Sequence, residues 1–192
     1  EPQSGQASYS EKDVVDMIKP IVEGIRYCHS AGVVHRNLNL DNLIFETKDP
    51  DAFIKISEFG LSKNIYEDQL STRCGTPHYM APEVLSGEAY NSSIDFWALG
   101  VIIYKMLCGY LPFDGTSDAK VVEKIVMLQY QFPSPDWDDV STFAKDLIKN
   151  LLVVNPEERL NAEKILSHPW MIGDVTPRKA RTIVWKTPTL NK

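Results

Sequence analysis

Cysteine is scarce in this chain. The 192 residues contain only Cys28, Cys74 and Cys108, an odd and scattered set. Such a set builds neither a disulfide framework nor a metal-ligand spacing, and the expectation is three reduced thiols in an intracellular, cytoplasmic protein. Net positive charge is lacking too. The formal charge of −6 argues against a general nucleic-acid binder. Residues 175–192 oppose that balance, with Arg178, Lys179, Arg181, Lys186 and Lys192 and no acid. The N-terminal stretch EPQSGQASYSEKD is polar and acidic, unlike a secretory signal. No initiator methionine opens the chain, so a fragment, a processed product or an incompletely identified sequence is expected. There is no internal repeat and no low-complexity run. The longest apolar stretch, residues 96–113 (FWALGVIIYKMLCGYLPF), carries Lys105 near its centre, at a cost of about 3 kcal/mol in a bilayer. It reads as a helix buried in a globular core, with no membrane span.

What is present suits a folded domain: 43% apolar and 24% charged residues. Ser10 with Asp13 forms a capping-box pattern. Val14, Met17, Ile18, Ile21, Ile25 and Cys28 follow at helical spacing, with Pro20 expected to kink the helix and Gly32 to stop it. Leu43–Phe45 and Phe53–Ile56 read as a small β-hairpin about the turn Lys48-Asp-Pro-Asp51. Residues 57–80 have no period and read as one long loop. Ser92 or Ser93 is placed to cap a helix over 94–108. Further helices are expected at 117–129, 141–152 and 161–167, the last capped by Asn161. The expected fold class is mainly α, in α+β form, with one small hairpin.

The chemistry concentrates in His35-Arg-Asn-Leu-Asn-Leu-Asp-Asn42. Downstream, in order, come Glu58-Phe59-Gly60, Ala81-Pro82-Glu83, Asp95-Phe96-Trp97 with Gly100, Asn155-Pro-Glu-Glu-Arg159 and His168-Pro-Trp170. This series resembles the large lobe of a protein kinase: the H-R-D-L-x-x-x-N catalytic loop, D-F-G, A-P-E, D-x-W-x-x-G, the late arginine and the final helix. Each triplet alone is weak, and the ordered set is specific. Cys74-Gly-Thr-Pro77, Leu107-Cys-Gly109 with Pro112-Phe113, and Ser134-Pro-Asp-Trp137 resemble the calcium/calmodulin-dependent group. The resemblance covers residues 9–171. Residues 1–8 then mark an extension or truncation point, and 172–192 form a basic tail.

The departures bear on function. Asn37 stands where the resemblance implies the Asp that orients the substrate hydroxyl and takes its proton, and an amide is no base near neutral pH. Asn39 stands at the position of the usual catalytic-loop Lys. Asn42 retains a metal-ligand position, while Glu58 replaces the metal-binding Asp with a side chain one methylene longer, so Mg²⁺ is expected to be held weakly or lost. No Gly-rich loop and no V-A-I-K-like Lys occur in the sequence. The expectation is a kinase C-lobe acting as a non-catalytic, pseudokinase-like interaction module or scaffold, with no cofactor. The enzyme alternative is a fragment of a Ser/Thr kinase using ATP and Mg²⁺. The resemblance also implies an activation loop in which Arg36 faces a phosphorylatable Thr72. His35, Phe59, Gly60 and Asp95 take structural roles, Phe59 as a core residue, and Glu83 pairs with Arg159. A protein partner is expected at the inter-lobe surface or on a helical face. Calmodulin binding by the tail is disfavoured, because Pro177 and Pro188 interrupt any long amphipathic helix.

Overall fold

The helix starts are set by side-chain caps. In a computed structural model that describes residues 7–47, 52–65, 70–173 and 181–183, Ser10 and Asp13 form a reciprocal capping box. Helix α1 then runs over Glu11–Ser30. Its apolar stripe, Val14, Val15, Ile18, Ile21, Val22 and Ile25, is buried. Pro20 lies on the exposed face, where the carbonyl it leaves unbonded can meet water, and the helix continues through it. The helix gives way at Ala31, and Gly32 takes the left-handed φ of 77° that turns the chain away.

Two strand pairs flank the loops that follow. Leu43–Phe45 (β3) and Ile54–Ile56 (β4) form the expected antiparallel hairpin, with Leu43 opposite Ile56. The turn expected at Lys48–Asp51 lies outside the described residues. The stretch 57–80 is not one featureless loop. Within it, Lys63–Asn64 (β5) pairs with Val33–Val34 (β2), and single 3₁₀ turns occupy Phe59–Leu61 and Pro77–Tyr79. Two-residue strands are too short for alternation to register. At the edge of the described chain, Ala7–Tyr9 (β1) pairs with Arg181–Ile183 (β6), inside the segment read as a tail. The rest of that tail, including Trp185, lies outside the described residues.

The A-P-E segment opens a short helix, α2 (Pro82–Ser86), absent from the sequence reading. The apolar stretch becomes helix α3 (Ile94–Cys108), buried on almost every face. Among the described residues no helix is long and apolar enough to cross a membrane. Ser93 holds the N-cap position but makes no side-chain cap bond. Its own N–H donates to Asn91 Oδ1 at 2.9 Å, and its hydroxyl accepts from Arg159 instead.

Helices α4 (Asp118–Val126), α5 (Thr142–Leu151) and α6 (Ala162–Leu166) are capped by Ser117, Ser141 and Asn161. A last turn, α7 (Pro169–Ile172), follows His168. Helix α5 packs on α3 at Gly100, where an added Cβ would sit 2.9 Å from Leu151 Cβ. Trp97 stacks on Phe113 at 5.7 Å, and Trp137 meets Tyr104 and Phe132 at 4.6 Å each. Trp97, Phe113 and Trp137, fully buried, each contribute on the order of 1.5–3 kcal/mol. The core therefore centres on α3, and the first turn of α3 carries the residue that organises the site.

Candidate functional site: a loop built on Asp95

Asp95 is 1% exposed at the start of α3. A buried carboxylate needs several donors, and this one has three. His35 N donates to Oδ2 and Arg36 N to Oδ1, both at 3.0 Å, and His29 Nε2 lies 2.8 Å from Oδ2. Helix α3 thereby holds the backbone of the His35–Asn42 loop. Arg36 is bent into the left-handed region at φ 66°, and so is Glu58 at φ 60°. For non-glycine residues each such conformation costs about 1–3 kcal/mol.

His35 is 3% exposed and works as a strut. One ring nitrogen bonds Ser57 O at 2.8 Å and the other accepts Asn37 N at 3.3 Å. Nδ1 therefore carries no proton, and Nε2 is the donor to the carbonyl. Phe59 was expected to be a core residue. It is 41% exposed, touching the His35 ring edge-on at 4.8 Å, with no described residue covering its outer face. Gly60 is exposed, with nothing near where a Cβ would stand.

Asn39, the residue at the Lys position, is 5% exposed and serves as a cap. Its Oδ1 accepts Asp41 N and Asn42 N, at 2.9 and 3.2 Å, at the 3₁₀ turn Leu40–Asn42. Its Nδ2 donates to Asn37 O and Asn37 Oδ1, at 3.1 and 3.3 Å. Thr76 Oγ1 reaches the same Asn37 Oδ1 at 3.5 Å. The two amides are thus locked together at the centre of the loop.

Asn42 Nδ2 donates to Asn37 O at 2.8 Å, which leaves Oδ1 as its available acceptor. Asn42 O in turn receives Ser57 N at 2.9 Å, extending the β3–β4 pairing and bringing Glu58 alongside. Glu58 is exposed and its side chain makes no cap bond. An amide oxygen and a carboxylate are hard oxygen donors of the type Mg²⁺ accepts. Among the described residues no group of three His, Cys, Asp or Glu could hold a metal ion. Any Mg²⁺ here would therefore rest on Asn42 and Glu58 together with oxygens of its own ligand.

Arg36 and Thr72 are linked through a group that sequence reasoning missed. Arg36 Nη1 donates to the Tyr90 hydroxyl at 3.2 Å, and that hydroxyl donates to Thr72 O at 2.9 Å. Arg36 Nε also holds Leu61 O at 2.6 Å. Burial raises the Tyr90 phenol above its ordinary pKa, partly opposed by Arg36. Nothing about Tyr90 in the sequence signals this role, because it belongs to none of the motifs. Glu83 and Arg159, 76 residues apart, meet in a bidentate pair at 2.8 and 3.2 Å. Both are buried, and Arg159 lies 5.3 Å from the Trp97 ring centre.

Beside the loop lies a small cleft of about 20 Å³, lined by Arg36, Asn37, Thr76 and Asp95 among apolar side chains. Gly75 forms one wall with φ 108°, and a Cβ there would fall 2.8 Å from Arg36 O. Only glycine permits this approach. Tyr79 in the same wall has its pKa pushed up to about 12, first by burial and then by the Asp41 charge.

Helices around a buried apolar helix, small antiparallel strand pairs and an Asp-anchored His-Arg-x loop fit a protein kinase domain. The chain belongs to the protein kinase domain family, whose profile matches residues 3–171. It is 44% identical over 169 residues to calcium/calmodulin-dependent protein kinase type 1 of Macrobrachium nipponense, covering 88% of this chain and 49% of that protein. It is 48% identical over 168 residues to calcium/calmodulin-dependent protein kinase type IV of Rattus norvegicus, covering 86% of this chain and 35% of that protein. The type 1 kinase of Caenorhabditis elegans is 43% identical over 169 residues. The chain thus spans half or less of the length of these relatives.

Proposed function

We propose that this chain is a non-catalytic, pseudokinase-like interaction or scaffold module derived from a Ser/Thr protein kinase. The observation that carries the reading is the neutral pair Asn37–Asn39, bonded to each other at the position of the catalytic acid and lysine. An amide cannot take the hydroxyl proton, and no lysine at the second position neutralises a transferring phosphate. Phe53, Phe59, Leu61 and Ile65, at 74%, 41%, 39% and 37% exposure, give the surface around the β3–β4 hairpin and the Glu58 loop an apolar character suited to a protein partner.

Transfer of labelled phosphate from ATP and Mg²⁺ to a basic Ser/Thr peptide is the test, with heat-killed protein as control. The expected result is no turnover, with Asn37→Asp remaining inactive. Turnover lost on Glu58→Ala would overturn the reading. The second reading, a Ser/Thr kinase fragment, draws support from the two oxygen donors that persist, Asn42 Oδ1 and Glu58. When bound, Mg²⁺ would supply charge neutralisation for nucleotide phosphates. Asn42 Oδ1 and the Glu58 carboxylate are the groups that would hold it. Against that reading stands the expectation that ATP with Mg²⁺ binds weakly. A thermal shift of several degrees at about 1 mM nucleotide would favour it.

A further inference from the structure

Residues 70–76 bring Cys74, Gly75 and Thr76 into the wall of the cleft. Two successive bonds from Tyr90 hold the start of this segment. Tyr90 stands between α2 and α3 and is 8% exposed. Its N–H donates to Leu70 O at 2.9 Å, in an isolated antiparallel bridge. Its hydroxyl donates to Thr72 O at 2.9 Å. Leu70 is buried as well, so the bridge is shielded from water.

The direction of each bond is fixed. A guanidinium can only donate, so Arg36 Nη1 occupies a lone pair of the Tyr90 oxygen at 3.2 Å, and the phenolic proton is left for Thr72 O. Both ends of this relay are anchored on α3. Arg36 N is tied to Asp95 Oδ1 at 3.0 Å, and Tyr90 lies just before the N-cap Ser93. Thr72 takes part through its carbonyl, while its side chain is exposed. Any residue at 72 supplies that acceptor. The resemblance in sequence set Arg36 against a phosphate on Thr72. In the fold, Arg36 Nε and Nη1 go to Leu61 O and the Tyr90 hydroxyl.

We infer that Tyr90 is a built-in latch: its hydroxyl, backed by Arg36, holds residues 70–76 in place with Thr72 unmodified. The charge that a phosphate would contribute is not needed, because a neutral hydroxyl spans the gap from Arg36 to the backbone. The latch acts on the shape of the loop and operates whether or not the lobe transfers phosphate.

The test is limited trypsin digestion of the full chain after phosphatase treatment. Arg73 is exposed within the held segment, and cleavage there requires the segment to open locally. Mass spectrometry follows the fragment ending at Arg73, and urea denaturation reports global stability. A synthetic peptide of residues 70–79 gives the rate for an unheld chain. The dephosphorylated wild type is expected to be cut at Arg73 at least about tenfold more slowly than the peptide. Tyr90→Phe keeps the buried ring and loses only the hydroxyl, so it is expected to be cut about tenfold faster than the wild type. Arg36→Gln removes the donor behind that hydroxyl and should shift the rate in the same direction. Thr72→Ala keeps the carbonyl and is expected to match the wild type. Wild-type cleavage at the peptide's rate overturns the inference, as does an unchanged rate in Tyr90→Phe or Arg36→Gln. Thr72→Ala opening as far as Tyr90→Phe overturns it too. So does a Tyr90→Phe acceleration fully matched by a loss of global stability in urea. The wild-type and Thr72→Ala rates decide the matter even if the other variants fail to fold.

Discussion

Removing one member of the Glu83–Arg159 pair should destabilise the lobe strongly and unequally. The Arg159 side chain is fully buried and that of Glu83 is 6% exposed. Breaking such a pair costs about 3–5 kcal/mol, because the survivor is left charged away from water. The two survivors differ in what remains to them. Without Glu83, Arg159 keeps Val153 O at 2.9 Å and Ser93 O at 3.0 Å, and its place over Trp97. Without Arg159, Glu83 has no other hydrogen-bond donor among the described residues. Glu83→Ala should therefore fall near the lower end, about 3 kcal/mol, and Arg159→Ala near the upper, about 5 kcal/mol. Glu83→Gln should cost less than either, since its amide oxygen still accepts one bond. Against a typical domain stability of roughly 5–15 kcal/mol these losses are measurable or unfolding. Urea denaturation followed by circular dichroism on the wild type, the three single variants and the Glu83→Ala/Arg159→Ala double supplies the cycle. Real pairing makes the double cost less than the sum of the alanine singles by about 2 kcal/mol. Additive losses, or Glu83→Ala costing more than Arg159→Ala, would refute the reasoning.

Three further outcomes are expected. Glu11 accepts Ser141 N, Ser141 Oγ and Trp170 Nε1 at 2.8, 2.6 and 2.8 Å, joining α1 to α5 and α7, so Glu11→Ala should cost about 2–3 kcal/mol in the same urea assay. Gly100→Ala should cost about 1–3 kcal/mol by forcing a Cβ against Leu151 and Leu152, seen as a lower Tm. Burial raises Tyr79 and Tyr130 from the ordinary 10 to about 12, with Asp41 adding to the shift at Tyr79. The unfolded chain therefore loses these phenolic protons first. Stability should fall as pH rises from about 10 to 12, and Tyr130→Phe should reduce that fall in alkaline unfolding followed by phenolate absorbance.

Elements with strong local signals were legible in the sequence. The Ser10–Asp13 capping box, the cap at Asn161 and the β3–β4 hairpin each depend on residues a few positions apart, where side-chain chemistry alone decides. The β2–β5 pair was not legible, because two residues carry no period and their partners lie on opposite sides of the hairpin. At Ser93 the cap bond predicted by residue type lost to a tertiary claim, since Arg159 occupies the hydroxyl. Of the site, the motif series located the loop and the residues at the two ends of the ion pair. It could not reveal that Asn39 acts as a cap and clamps Asn37, or that Tyr90 joins Arg36 to Thr72. Those facts depend on which backbone groups the fold leaves unbonded. Phe59 was misread as core for a related reason: hydrophobicity marks a preference for burial, but burial also requires something on the other side.

The residues that give the cleft its shape are not those that would give it reactivity. Asp95, His35 and Gly75 hold the loop's backbone by bonds and close contacts that folding itself requires. The side chains at 37 and 39 ride on that frame. Natural variation at those two positions can therefore change the chemistry on offer without unfolding the lobe, while variation at 95 or 75 is removed by misfolding before any activity is at issue.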